Sequence, residues 1–164
     1  MRTPATNSTL GHLPTARPGF SLIELVMVMT IISILAAIAV PRYASALSRY
    51  RADAAARRIV TDLAYARELA RTSSASVAVE VLKVSETLNI LGAASIDQPG
   101  QGYQTVLSRE PYFADVFSAD FGTDHKVVFN GYGDADTGGT VVVRVGPESR
   151  TVVLNADTGK AGVQ

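Results

Sequence analysis

The chain has 164 residues, 47% of them apolar, no cysteine and a formal net charge of zero. The lack of cysteine excludes disulfide frameworks, thiolate metal sites and cysteine nucleophiles, and the length is that of about one domain with one modest core. The zero sum hides an uneven layout. Residues 1–19 carry Arg2 and Arg17 and no acid, residues 42–71 carry seven arginines against three acids, and from residue 72 onward six basic residues face eleven acidic ones. A basic stem is followed by an acidic head.

Residues 1–19 are rich in Thr, Pro, Ala and Gly, have no helical or alternating apolar period, and read as an unstructured leader. At Phe20 the composition switches to an apolar run that ends at Pro41 and Arg42. Residues 22 to 40 are close to the about 20 apolar residues that a helix needs to cross a bilayer. Arg2 and Arg17 precede the run with no acid, so the positive-inside bias places the N-terminus in the cytoplasm and the bulk of the chain beyond the membrane. Glu24 does not fit a plain anchor, because no lysine or arginine lies one helical turn away, and a charge at the centre of a span costs about 3 kcal/mol on insertion scales. Either its carboxylate sits at headgroup level and reaches water, or it is held for the positive N-terminus of a neighbouring copy. An ordinary secretory signal is the competing reading, with Ala37-Ile38-Ala39 as the cleavage site. The long leader, the acid inside the apolar region and Pro41 just past that cut stand against it.

Beyond Pro41 the helical period continues: Ala52, Ala56, Ile59, Leu63, Ala66 and Ala70 form one apolar stripe, with Arg51, Arg57, Arg58 and Arg67 largely off it. Helix from residue 22 to about 71 would extend roughly 75 Å. The stripe reads as core packing against a sheet, since sustained heptads are lacking. Thr72-Ser73-Ser74 ends the helix. Val77, Val79 and Val81 then alternate as a half-exposed strand, residues 92 to 102 read as a loop, 104 to 107 as a short strand, and 111 to 121 are ambiguous. Residues 126–130, 140–145 and 151–154 are β-branched runs, the last two joined through residues 146–150 as a hairpin, and a turn at residues 157–160 leaves room for a short final strand. The fold class expected is α+β, a long helix laid on an antiparallel sheet.

The head offers little chemistry. His12 lies in the leader and His125 is the only histidine in the head, so no histidine-based triad assembles in one chain. Gly131-Tyr132-Gly133 and Gly138-Gly139 lack the Gly-Lys-Ser/Thr of a phosphate loop. Asp134 and Asp136 resemble half of a calcium loop, but Val145 stands where a bidentate glutamate belongs; they are weak metal candidates, with Asn155 and Asp157 as added ligands only if the two turns meet. No cofactor and no enzymatic activity are expected. The acids of the head argue against nucleic acid as a partner unless Lys126, Arg144 and Arg150 converge.

Gly19-Phe20-Ser21-Leu22-Ile23-Glu24-Leu25 closely resembles the cleavage and methylation signal of type IV pilins and type II secretion pseudopilins. The resemblance implies a prepilin peptidase that cuts after Gly19, methylation of Phe20 as the new N-terminus, and Glu24 as the assembly charge. Pro41 matches the position where helices of the family kink. Pro18, beside the scissile glycine, departs from the pattern. Residues 62–70 (Asp-Leu-Ala-Tyr-Ala-Arg-Glu-Leu-Ala), Val128-Phe129-Asn130-Gly131-Tyr132-Gly133 and Asp157-Thr158-Gly159 are similar to the GspH/FimT type, and the absence of cysteine favours a pseudopilin or minor subunit. The implied organisation is a leader at 1–19, a transmembrane and assembly segment at 20–41, an amphipathic stem at 42–71 and a periplasmic β-rich head at 72–164. The implied partners are the prepilin peptidase, other pilin or pseudopilin subunits and an inner-membrane assembly platform. The implied place is the bacterial inner membrane, then a periplasmic or surface filament. A DNA-binding minor pilin of an uptake pilus is the alternative.

Overall fold

A serine starts the single long helix and another closes it. In a computed structural model, which describes residues 19–95, 99–122 and 125–164, helix α1 spans Leu22–Ser73. The Ser21 Oγ accepts the backbone N–H of Glu24 at 3.2 Å, filling one of the donors that a first turn leaves without an internal partner. At the other end Ser74 takes a left-handed φ of +52°. The Ser74 N–H reaches the Arg71 carbonyl at 3.4 Å and the Ala75 N–H reaches the Ala70 carbonyl at 3.2 Å, the two bonds of a Schellman closure. Residues 1–18, with Arg2, His12, Arg17 and Pro18, lie outside the described residues.

The chain divides into two compact units, Met1–Val40 and Pro41–Gln164. The described part of the first is the opening half of α1, apolar on every side, with a mean hydropathy of 2.6 over eighteen residues and none of them buried. Its hydroxyls are satisfied within the helix: Thr30 donates to the Val26 carbonyl and Ser33 to the Met29 carbonyl, each at 2.8 Å. Such a stretch has no backbone polarity to offer water and suits a lipid interior. Pro41 lies inside the helix, where its missing N–H removes one rung of the ladder.

The second unit holds the stem of α1 and eight strands: β1 (Val77–Leu82), β2 (Thr87–Ala94), β3 (Gly102–Val106), β4 (Asp115–Asp120), β5 (Lys126–Phe129), β6 (Gly139–Val145), β7 (Glu148–Leu154) and β8 (Ala161–Val163). They form two antiparallel sheets, not the one expected, ordered β3-β2-β1-β5 and β4-β6-β7-β8. The stripe read from the sequence is the buried face of the stem: Ala52, Ala56, Ile59, Leu63, Ala66 and Ala70 are each at most 1% exposed. They share one core with Val79, Val81, Val127 and Phe129 of the first sheet and Val141, Val143 and Val152 of the second. Four of the six stripe residues are alanine, so the buried face of the stem is made mostly of small side chains.

Two local readings change. The expected loop from residue 92 begins too early, because Gly92–Ala94 still belong to β2, which bends at a register shift between Ile90 and Ala94; residues 96–98 lie outside the described residues. The β6–β7 turn is two residues rather than five, since Val145 pairs with Glu148, and Gly146, with φ +57°, supplies the left-handed conformation this tight reversal needs. The second glycine of Gly138-Gly139 is a packing residue. A Cβ on Gly139 would fall 2.3 Å from the Phe121 ring and 2.4 Å from the Asp120 carbonyl oxygen. Gly139→Ala is therefore expected to destabilise the protein by about 1–3 kcal/mol, read as a lowered unfolding midpoint by circular dichroism.

Candidate assembly site

Gly19 and Phe20 are fully presented. Nothing lies within 4 Å of a Cβ built on Gly19, so folding does not demand glycine there, and Phe20 is 86% exposed. Glu24 is the acid of the first helical turn, where the helix dipole favours negative charge. Its carboxylate makes no hydrogen bond or ion pair with a described residue. Ser21 and Glu24 stand at the N-cap and third helical positions, the spacing of a capping box. The sequence reading passed over this signal, although a Ser-x-x-Glu directly before an apolar run displays it. Glu24 thus has a structural role open to it as well as an assembly one.

The stem arginines are used to tie helix to sheet. Arg49 Nε meets Glu148 Oε1 at 2.9 Å, and Arg150 Nε pairs with Asp53, so two ion pairs join the stem to β7. Deeper, Asp62 is 0% exposed. Its Oδ2 accepts from Arg58 Nε at 3.3 Å, with Oδ1 in ion-pair contact at 3.0 Å, and Oδ1 accepts from the Tyr103 hydroxyl at 2.8 Å, while Arg58 Nη2 also donates to the Tyr103 oxygen at 2.9 Å and to Thr105 Oγ1 at 3.3 Å. Burial works to lower the Arg58 pKa, and the carboxylate of Asp62 with nearby tyrosines outweighs it and raises it. The Tyr103 phenol is raised by burial and by its bond to Asp62. A buried carboxylate on the core stripe, pinned by an arginine one turn earlier, anchors the stem to the edge strand β3.

The fold takes up the two acids of the loop at residues 131–139. Asp136 Oδ1 accepts the Val128 N–H at 2.9 Å, and Asp134 Oδ2 faces the Asn130 amide at 3.4 Å. Among the described residues no three His, Cys, Asp or Glu side chains come together. The two turns do meet, as the calcium reading required, but at glycines: a Cβ on Gly159 would lie 2.6 Å from the Gly133 carbonyl oxygen. The cation at this junction is Arg67, whose Nε donates to that same oxygen at 3.0 Å. His125 Nδ1 sits 2.8 Å from the Ala119 carbonyl oxygen, a satisfied histidine.

Lys126, Arg144 and Arg150 do not form a shared basic surface. Lys126 stands opposite Glu80 on β1, Arg150 is held by Asp53 and Glu148, and Arg144 lies on the other face of the β6–β7 hairpin, 3.9 Å from the centroid of the Phe117 ring. In the β1–β2 turn, Glu86 is raised above its ordinary 4.5 by burial first, then by Asp115, while a hydrogen bond from Ser108 works the other way. Its contribution to stability is present below pH 4.5 and lost as the pH rises through the raised value. Glu86→Gln is expected to raise the melting temperature at pH 7 and to leave it unchanged at pH 4, as thermal scans at the two pH values will read.

The Type II transport protein GspH family model matches residues 55–158, and the prokaryotic N-terminal methylation motif matches residues 15–40. Sequence comparison with curated proteins finds no match. Among solved structures, the minor pseudopilin EpsH from the type II secretion system of Vibrio cholerae is similar with a TM-score of 0.53 at 14% identity, covering 71% of this chain and 97% of its own. A second structure of EpsH gives 0.51 at 17%, covering 70% and 96%. The type IV minor pilin FimU of Pseudomonas aeruginosa gives 0.49 at 15%, covering 71% and 90%. At these identities the likeness to EpsH speaks for the fold: a long N-terminal helix followed by antiparallel sheets. The family match takes in the buried stem from Ala55 onward, with its Asp62 anchor, and strands β1 to β7, and the chain belongs to the type II transport protein GspH family of pseudopilins and pilins.

Proposed function

We propose that the chain is a minor structural subunit of a type II secretion pseudopilus or a type IV pilus. In this reading it is made as a prepilin with a cytoplasmic N-terminus, cut after Gly19 by prepilin peptidase and methylated at Phe20. The apolar half of α1 then carries it from the inner membrane into a filament. The observation that carries the reading is the first unit itself. An all-round apolar helical segment, residues 22–40, with no buried residue begins two residues after Phe20 and holds one carboxylate, Glu24, without a partner among the described residues. Cutting after Gly19 creates an ammonium group at Phe20, and in a medium poor in water an ammonium of a neighbouring copy attracts that carboxylate strongly. Pro41, which removes one backbone hydrogen bond, marks the place where the helix bends or locally unwinds as subunits pack. EpsH, whose fold this chain shares, is described as a minor pseudopilin of a type 2 secretion system, which supports a partnership with other subunits and an assembly platform.

The mass and N-terminal sequence of the protein recovered from membranes test the pathway. A start at Phe20 carrying one added methyl group is the expected result. A start at Val40 would mean an ordinary signal peptide cut after Ala39 and would end the filament reading.

A further inference from the structure

Arg42 follows the apolar run by two residues, and a cation just past a span works against the charge bias that keeps the leader in the cytoplasm. The fold does not explain it, since the Arg42 side chain makes no hydrogen bond or ion pair with any described residue. Seven residues on, Arg49 returns to nearly the same side of the helix, about 10 Å further along. Between them Ser45 and Ala46 are small, and Pro41, Arg42, Ser45, Ala46 and Arg49 line a shallow groove. Ser45 gives its hydroxyl to the Pro41 carbonyl at 3.1 Å, so the donors left to the groove are guanidinium groups. Arg49 spends only its Nε, on Glu148; its terminal nitrogens make no hydrogen bond among the described residues. Tyr43 and Tyr50 repeat the seven-residue spacing beside the arginines and are 71% and 69% exposed.

We propose that this face of α1 binds the phosphate groups of anionic phospholipids at the membrane surface that the helix leaves. The inference rests on the reading that residues 22–40 span a bilayer. The headgroup layer adds about 5–7 Å to each side of the hydrocarbon core. Arg42 and Tyr43 follow Val40 by about 3–5 Å of helical chain and fall in that layer. Arg49, at about 13 Å, reaches it by bending its long side chain back toward the membrane. Arg57, at about 25 Å of chain, does not. Tyrosine rings favour the same layer, with the ring in the apolar margin and the hydroxyl in water, and a planar guanidinium takes a phosphate through paired N–H donors. Glu148 competes for Arg49, so headgroup binding and the stem-to-β7 ion pair share one side chain.

The test uses the mature full-length chain placed in vesicles of phosphatidylcholine alone or mixed with phosphatidylglycerol, then extracted for native mass spectrometry of the lipids it retains. The wild type is expected to retain phosphatidylglycerol in preference to phosphatidylcholine. Arg42→Gln lowers that preference about fivefold, and Arg42→Gln with Arg49→Gln about twenty-five-fold, from the usual worth of one cation at an anionic surface. Arg42→Lys keeps most of it. Equal retention of phosphatidylglycerol by the double variant and the wild type overturns the proposal, as does displacement of the lipid by an equal concentration of inorganic phosphate, which would indicate a free-phosphate site. If the double variant does not fold, Arg42→Gln alone decides, because Arg42 makes no hydrogen bond or ion pair with any described residue. A chain that fails to enter even phosphatidylcholine vesicles overturns the membrane-span reading, and this outcome is distinct from insertion without lipid preference.

Discussion

Glu24→Ala is expected to leave the protein in the membrane and abolish its incorporation into filaments. Removing a carboxylate from an apolar helix makes insertion easier, by about 3 kcal/mol if the group lies at mid-span and less near the interface, so membrane fractions of the variant stay full. The filament loses the attraction between that carboxylate and the amine created at Phe20 of a neighbouring subunit. Ser21 complicates the alanine result, because Glu24 stands at the capping-box spacing from it, where its carboxylate, unbonded in this structure, can serve the Ser21 N–H and its loss would weaken the start of α1. Glu24→Gln separates the two roles. Glutamine serves a capping box as glutamate does but carries no charge, so it keeps the helix start and is expected to fail in assembly as alanine does. Counting the subunit in sheared filaments by immunoblot, beside its level in membranes, reads both variants. Normal incorporation of the glutamine variant would reduce Glu24 to a helix cap and remove the charge-pairing account.

Asp62→Ala, at the join of stem and sheet, is expected to cost about 2–4 kcal/mol. The carboxylate is fully buried, and its removal takes from Arg58 its ion-pair partner and from the Tyr103 hydroxyl its acceptor. The loss stays toward the lower end for a broken buried pair because the Arg58 side chain, 38% exposed, can turn to water. Arg58→Ala leaves the opposite problem, a buried carboxylate retaining only the Tyr103 hydroxyl. The paired change Arg58→Ala with Asp62→Ala is therefore expected to cost less than the sum of the single changes, since neither partner is left alone. Urea unfolding of the three variants supplies the cycle. A cost below about 1 kcal/mol for Asp62→Ala, the level of an exposed pair, would show that the anchor is ornamental to stability.

The parts of the fold that were legible in the sequence are those fixed by neighbours along the chain. The alanine stripe declares itself through spacings of three and four, and the valines of β1, β6 and β7 through alternation or β-branched runs. Strand β2 was missed because Gly92 and the register shift after Ile90 break its alternation, leaving buried Leu88 and Ile90 without a visible period. The division into two sheets depends on β1 pairing with β5, Val77 opposite Phe129, a contact between residues far apart in sequence that no local pattern records. At the candidate site, Gly19, Phe20 and Glu24 are conspicuous because an acid inside an apolar run is an anomaly. Asp62 is inconspicuous within residues 62–70. Its clue was available: it falls three residues after Ile59, on the buried stripe, and four after Arg58, at ion-pair spacing. Tyr103 and Thr105, which complete the network, come from a strand whose proximity only the fold reveals.

The stem's two sets of polar ties have a mechanical consequence. A subunit drawn by its N-terminal segment feels traction on α1 while its head resists, and the ties yield according to how solvent reaches them. Arg49 is 64% exposed and nearest the pulled end, so its pair with Glu148 is screened by salt and yields first. The Arg58, Asp62 and Tyr103 knot, built on a carboxylate that is fully buried, feels ionic strength less. Traction would thus release the stem from β7 before it disturbs β3, giving the subunit a compliant outer catch and a stiff inner one, so that modest strain in a growing fibre is taken up without unfolding the head.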